Sequence, residues 1–197
     1  EQTPLKPVSL YSETKVNSES LVLDSKSINF EPCILRFSTV FGISPEMRFD
    51  LLLQELILNA IIYKKILIFG PDFWRPLIHV KDASDACIRC IESSSDLVSG
   101  EIYNVGASEQ NFTKLELAQI VQEHFPDIQI EIQKSKKDPR NYKVSFDKIR
   151  KTFDFKIKNT VRDGISEMVG GINNGTLNYT NSDFSSRAKL AEKIPVF

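Results

Sequence analysis

The sequence has no surplus of charge of either sign. Its 25 Lys and Arg face 26 Asp and Glu, a formal net charge of −1. No basic field is available to hold a polyanion, which argues against a nucleic-acid partner. Long apolar runs are also missing. No stretch reaches the ~18 residues of a membrane-spanning helix. The longest, from Leu51 to Ile68, is broken by Gln54, Glu55, Asn59, Lys64 and Lys65. No membrane partner is expected, and no signal-peptide pattern opens the chain. Metal-ligating residues are sparse, with three Cys and two His. Cys33, Cys87 and Cys90 cannot all pair. The C-x-x-C of Cys87 and Cys90 lies in Asp-Ala-Cys-Ile-Arg-Cys-Ile-Glu, an apolar helix face. That context reads as buried thiols, with no metal or redox site. Such cysteine use suits a reducing compartment, so a cytoplasmic location is expected. Neither G-x-G-x-x-G nor a P-loop occurs.

What is present reads as alternating helices and strands. A helix is expected from about Ser9, its cap, to Ser27, with Val16, Leu21 and Leu23 as apolar positions. Cys33 to Phe37 is a short apolar run that reads as a buried strand, followed by a loop holding Gly42 and Pro45. Helical spacing runs from Phe49 to Tyr63, and Ile66 to Phe69 reads as a strand. Trp74, Arg75 and Pro76 read as a loop. Val80 to Ser93 reads as a helix capped by Asp82, with Ala83, Ala86, Cys87, Cys90 and Ile91 on one side. Glu101 to Val105 reads as a strand. Thr113 and Glu116 form a capping box for a helix ending before Pro126. Ile128, Ile130 and Ile132 alternate with polar residues as in a half-buried strand. A polar loop from Lys134 to Asn141 precedes helices at Asp147 to Phe153 and Val161 to Gly170. A polar tail, with a short helix at Ser186 to Lys193, closes the chain. The alternation argues for an α/β architecture.

One short pattern carries chemistry. In Tyr11-Ser-Glu-Thr-Lys15 the phenol and the ammonium are four residues apart, so a helix puts them on one face. A free Tyr titrates near ~10 and is a poor base at neutral pH. A cation within a few Å favours the phenolate. Such a Tyr can exchange a proton with a sugar hydroxyl while hydride moves to or from a nicotinamide. Alone, Y-x-x-x-K is a weak signal that many helices carry by chance.

The surrounding sequence makes it specific. Tyr11-Ser-Glu-Thr-Lys15-Val-Asn-Ser-Glu19 resembles the Y-x-x-S/T-K-x-x-x-E stretch of the extended short-chain dehydrogenase/reductases. These are the NAD-dependent epimerase/dehydratase family, of the UDP-glucose 4-epimerase type. Further matches follow in the family's order. They are Ile34-Leu35-Arg36-Phe37-Ser38-Thr39-Val40-Phe41-Gly42, Ile66 to Gly70 with Arg75 to Asp82, Glu101 to Gly106, and Asp138-Pro-Arg140 through Phe155. The resemblance implies the C-terminal part of a Rossmann-like doubly wound sheet plus a smaller α/β substrate-binding domain. Residues 1–42 would be the end of the dinucleotide-binding domain. Residues 43–172 would be mainly substrate-binding, with some segments returning to the Rossmann domain, and 173–197 a polar tail. It further implies Tyr11 as acid/base, with Lys15 tuning it and anchoring the cofactor ribose. Phe37 would lie on the nicotinamide side, Thr39 near the substrate, and Phe69 against the nucleotide base. Arg75 and Arg140 would hold the diphosphate, since guanidinium forks bond phosphate oxygens in pairs. Arg48 and Asp50 would flank a substrate lid. His79 would be buried and structural. The implied cofactor is NAD, or NADP for a reductase. The implied substrate is a nucleotide-sugar, and the complete enzyme is implied to be a homodimer.

There are departures. Thr39 stands where many members have Asn, and Ile43 follows Gly42 where Pro is usual. The Gly-rich phosphate turn belongs on the order of 140 residues before the tyrosine, by the span of several βαβ units. The catalytic Ser/Thr also belongs upstream of it. Residue 1 is Glu, not Met, so the chain is expected to begin inside a longer protein or to have been processed. The isolated chain is expected to turn over little or not at all. The alternative expectation is a truncated or split non-catalytic remnant that binds sugar nucleotides.

Overall fold

The computed structural model describes residues 1–133 and 140–179. It is an α/β structure. The chain opens with an extended segment and α1 (Leu10–Asp24), then β1 (Ile34–Phe37), β2 (Thr39–Phe41), α2 (Leu52–Tyr63), β3 (Lys65–Phe69) and β4 (Trp74–His79). It continues with α3 (Val80–Glu92), α4 (Ser95–Val98), β5 (Ile102–Val105), a 3-10 turn at Ser108–Gln110, β6 (Asn111–Thr113), α5 (Lys114–His124), β7 (Gln129–Gln133), α6 (Asp147–Phe153) and α7 (Val161–Asn173). Strands β1 and β5 pair in parallel, as do β3 and β7. Strand β4 pairs in parallel with β2 on one side and antiparallel with β6 on the other.

The three-stranded sheet separates two hydrophobic cores. Side chains alternate across a strand, and β4 uses both faces. Leu77 points into a core built from α2, β3, α5 and α7, including Leu53, Ile57, Ile66, Leu117, Ile165 and Met168. Its neighbour Ile78 points into a second core with Ala86, Tyr103, Val105, Phe146 and Ile149. The same split occurs on β2, where Phe41 joins the first core and Val40 packs on the second.

Local sequence explains several elements. Ser9 caps α1 by a capping box with Ser12, and Thr113 with Glu116 does the same for α5. Other expectations are corrected. Trp74, Arg75 and Pro76 lie in β4, not in a loop, because long-range antiparallel pairing with β6 outweighs the loop-like local composition. Thr39–Phe41 is a strand of its own. Strand β1 is half-buried rather than buried, since its only described partner is β5. The face of α3 is narrower than expected, because Ile91 is exposed and Cys87 only partly buried. Asp82 does not cap α3. His79 does, its Nδ1 accepting from the Lys81 N–H at 3.2 Å. At the other end, α7 runs to Asn173 and the chain then returns to the first core through buried Leu177. The expected loop over 134–139 and the expected helix at Ser186 to Lys193 lie outside the described residues. Among the described residues no helix is long and apolar enough to cross a membrane.

Candidate functional site

Helix α1 places Tyr11 and Lys15 one turn apart on the same face. The Lys15 ammonium lies 5.8 Å from the centroid of the Tyr11 ring. Tyr11 is 72% exposed, and α1 buries no side chain fully. Its apolar residues Leu10 and Leu21 face outward. Between α1 and β1 runs a cleft of about 500 Å³ lined by Tyr11, Lys15, Glu19, Arg36 and Phe37. The structure thus brings three of the sequence-selected residues to one cleft, Tyr11 and Lys15 on the α1 side and Phe37 on the β1 side.

Sequence reasoning gave no role to two residues of the same cleft. Arg36 of β1 grips Glu19 of α1 with a two-pronged ion pair, Nε to Oε2 at 2.9 Å and Nη2 to Oε1 at 2.5 Å. The hydrogen bond from Arg36 to Glu19 is the main cause that raises the arginine pKa. The signal for it was present, because Glu19 and Arg36 sit inside the two motifs that carry the resemblance. Nearby, Arg48 holds Asp50 through two bonds of 2.7 Å. That pairing lowers the Asp50 carboxyl and raises Arg48.

A second cavity of about 590 Å³ shares Phe37 and Arg36 with the first and is lined by Glu1, by residues 3–6 and by the segment Asn141 to Phe146. Asparagine side chains pin that segment. Asn111 both donates to the Val144 carbonyl and accepts from its N–H, each at 3.0 Å, and Asn141 accepts from the Trp74 N–H at 2.9 Å. Arg75 and Arg140 meet although 65 residues separate them, next in sequence to Pro76 and Asn141 of this cavity but not themselves on its wall. Arg75 is buried, its guanidinium donating to the carbonyls of Trp74, at 2.7 Å, and Arg140. It also faces the Tyr142 ring at 5.8 Å. Phe69 stands apart from both cavities. It lines a smaller one of about 210 Å³ with Leu52, Glu55, Asn59 and Lys114. Thr39 opens β2 opposite Leu77. Asp138 lies outside the described residues.

His79 is buried and serves the framework. Its Nε2 meets Glu167 at 2.9 Å, and its ring stands edge-on to Phe41 at 5.2 Å. Burial is the largest influence on Glu167 and raises its pKa. Hydrogen bonds from Lys81, His79 and the Ile43 N–H together outweigh it and leave the carboxyl low. Asp82 accepts from the backbone N–H groups of Lys158 and Asn159, both at 3.0 Å, and so anchors the approach to α7. Cys33, Cys87 and Cys90 line one further cavity. Burial, and then the neighbouring Cys33, push the Cys90 thiol up to about 12, so it is not a thiolate at neutral pH. Among the described residues no group of three or more His, Cys, Asp or Glu could hold a metal.

Residues 1–106 match the NAD dependent epimerase/dehydratase family. Among solved structures, the chain is similar to a dTDP-glucose 4,6-dehydratase from Bacillus anthracis in complex with NAD. The identity is 25% and the TM-score 0.73, over 93% of this chain and 56% of that one. It also resembles a UDP-glucuronic acid 4-epimerase from Bacillus cereus in complex with UDP-glucuronic acid and NAD. There the identity is 22% and the TM-score 0.76, over 88% of this chain and 55% of that one. RMD from Pseudomonas aeruginosa complexed with NADPH is 17% identical, with a TM-score of 0.75, over 86% of this chain and 58% of that one. The last two show a shared fold. The chain therefore spans little more than half the length of these relatives.

Proposed function

Since the chain belongs to the NAD-dependent epimerase/dehydratase family, we propose that it forms the substrate-side part of an oxidoreductase-type enzyme acting on nucleotide-activated sugars. The observation that carries this reading is the shared cleft of Tyr11, Lys15 and Phe37. Those residues suit the nicotinamide-ribose end of NAD(P), with a phenol, an ammonium and an apolar ring around one cleft. Bound NAD(P) supplies the hydride acceptor and donor. Tyr11 takes or returns the proton of a sugar hydroxyl, and Lys15, beside the phenol, anchors the cofactor ribose. Phe37 lines the nicotinamide side. Arg75 and Arg140 hold the diphosphate, Thr39 contacts the substrate, and Phe69 packs on the base. We assign 1–42 to the end of the dinucleotide-binding domain and 43–172 mainly to the substrate-binding domain. We place the complete enzyme in the cytoplasm as a homodimer. The exposure of Leu10 and Leu21 on α1 favours a second reading for this polypeptide alone, as a sugar-nucleotide binder without turnover.

A panel of UDP-, GDP-, CDP- and dTDP-sugars tests the reading by thermal shift. A ligand at about 100 times its dissociation constant stabilises by about 2.7 kcal/mol. One nucleotide class is expected to raise the melting temperature, and Arg75→Ala is expected to weaken that response. A response to none of the four classes would count against a nucleotide-sugar substrate. An unchanged response in the variant would remove Arg75 from the diphosphate site.

A further inference from the structure

The geometry assigns Glu19 and Arg36 a positioning role, as the strut that holds Tyr11 at its working place in the cleft. The inference rests on the reading of Tyr11 as the proton-transfer group. Helix α1 buries no side chain fully, Val16 and Leu23 being only half-buried, so packing inside this chain fixes its rotation and its distance from β1 only loosely. Among the described residues, the side-chain hydrogen bonds that leave α1 either stay local, from Ser12 to Val8 and Ser9 at its N-terminal cap, or end on Arg36. Just past the helix, Lys26 donates to the Ser99 carbonyl at 2.7 Å, which tethers only the C-terminal end. The Arg36–Glu19 contact spans the cleft itself. It is half-buried, with side-chain exposures of 22% and 15%, and it is forked. One bond would leave α1 free to swivel about it, whereas two bonds from a planar guanidinium fix orientation as well as distance.

The stripe on α1 connects strut to phenol. Tyr11, Lys15 and Glu19 recur every four residues, so they lie along one face. Glu19 lies two turns from Tyr11, about 12 Å along the axis. A small rotation at Glu19 therefore moves the phenol relative to Phe37, which adjoins Arg36 on β1. Arg36 reaches further, donating to the Glu1 carbonyl at 3.3 Å, while the Glu1 carboxylate accepts from the Asn104 N–H at 2.8 Å. One guanidinium thus joins α1, β1 and the opening segment. Displacing a reacting group by about 1 Å costs on the order of 100-fold in rate, so the strut acts on turnover more than on binding.

The test is a double-mutant cycle in the holoenzyme, with kcat, KM, cofactor dissociation constant and far-UV circular dichroism read for each variant. Arg36→Ala and Glu19→Ala are each expected to lower kcat by on the order of 10- to 100-fold, with KM and cofactor affinity little changed. The double variant is expected to be no worse than either single. Arg36→Lys keeps the charge but not the fork and is expected to lie between. The exchange of Glu19→Arg with Arg36→Glu is expected to recover much of the loss. Glu19→Gln serves where an alanine variant does not fold, and is expected to lower kcat in the same direction. Unchanged kcat in Arg36→Lys and Glu19→Gln, beside a Tyr11→Phe variant that has lost turnover, would overturn the strut alone. Additive single losses would do the same. Full turnover in Tyr11→Phe would overturn the underlying reading and the strut with it.

Discussion

Gly42 shows how tightly single residues are placed beside the site. Its φ is +105°, a region other residues rarely adopt, and a Cβ there would meet His79 Nε2 at 2.5 Å. Both the backbone and the space exclude a side chain. Gly42→Ala is therefore expected to destabilise by roughly 2 kcal/mol or more, measured by urea titration. His79, held against Gly42, also receives Glu167, whose carboxyl is lower in the folded chain than the ordinary value of about 4.3. The sign follows from that depression. Glu167 contributes stability above the unfolded value, and loses it as pH falls through the lower folded value. Stability of the chain against pH should show this acid loss, and Glu167→Gln should flatten it. At this scale the sequence was legible where the signal was local or ordered. Tyr11, Lys15 and Phe37 were named before any geometry and share a cleft. Asp82 was misread as a cap because nothing near it reveals that N–H groups 76 and 77 residues away need its oxygens.

Among elements, α7 and α1 make opposite cases. Helix α7 crosses β2 at Gly164, where a Cβ would lie 2.3 Å from the ring of Phe41. Alanine favours a helix over glycine by about 1 kcal/mol. Overpacking a core costs about 1–3 kcal/mol, and Phe41 is too buried to give way. Gly164→Ala is thus expected to lower stability despite its better propensity, and a gain in melting temperature would refute the close crossing. Helix α1 has little to lose at Leu21, which is exposed. Leu21→Ser should change its stability by no more than about 0.5 kcal/mol, again by urea titration. Helices closed by capping boxes were readable because box and helix are contiguous, as with Thr113 and Glu116. Strands β2 and β4 were not, because they exist by pairing Thr39 with Leu77 and Arg75 with Phe112. A three-residue strand offers no period to count.

At the scale of the whole molecule, one sheet carries a core on each face, and the candidate site lies along strands that serve those cores. Leu77 and Ile78 commit β4 to both sides at once. Strand β1 then carries Arg36 and Phe37 from the second core to the cleft under α1. The α/β class was legible from the alternation of apolar runs, whereas the division into two cores depends on contacts far apart in sequence. The account stands on Tyr11 moving a proton in that cleft. The most direct measurement is single-turnover reduction of bound nicotinamide by the matching nucleotide-sugar, in the holoenzyme and in Tyr11→Phe. The account predicts a rate lower by roughly 10²–10⁴-fold, with nucleotide-sugar and cofactor affinities nearly unchanged. An undiminished rate in Tyr11→Phe would contradict it.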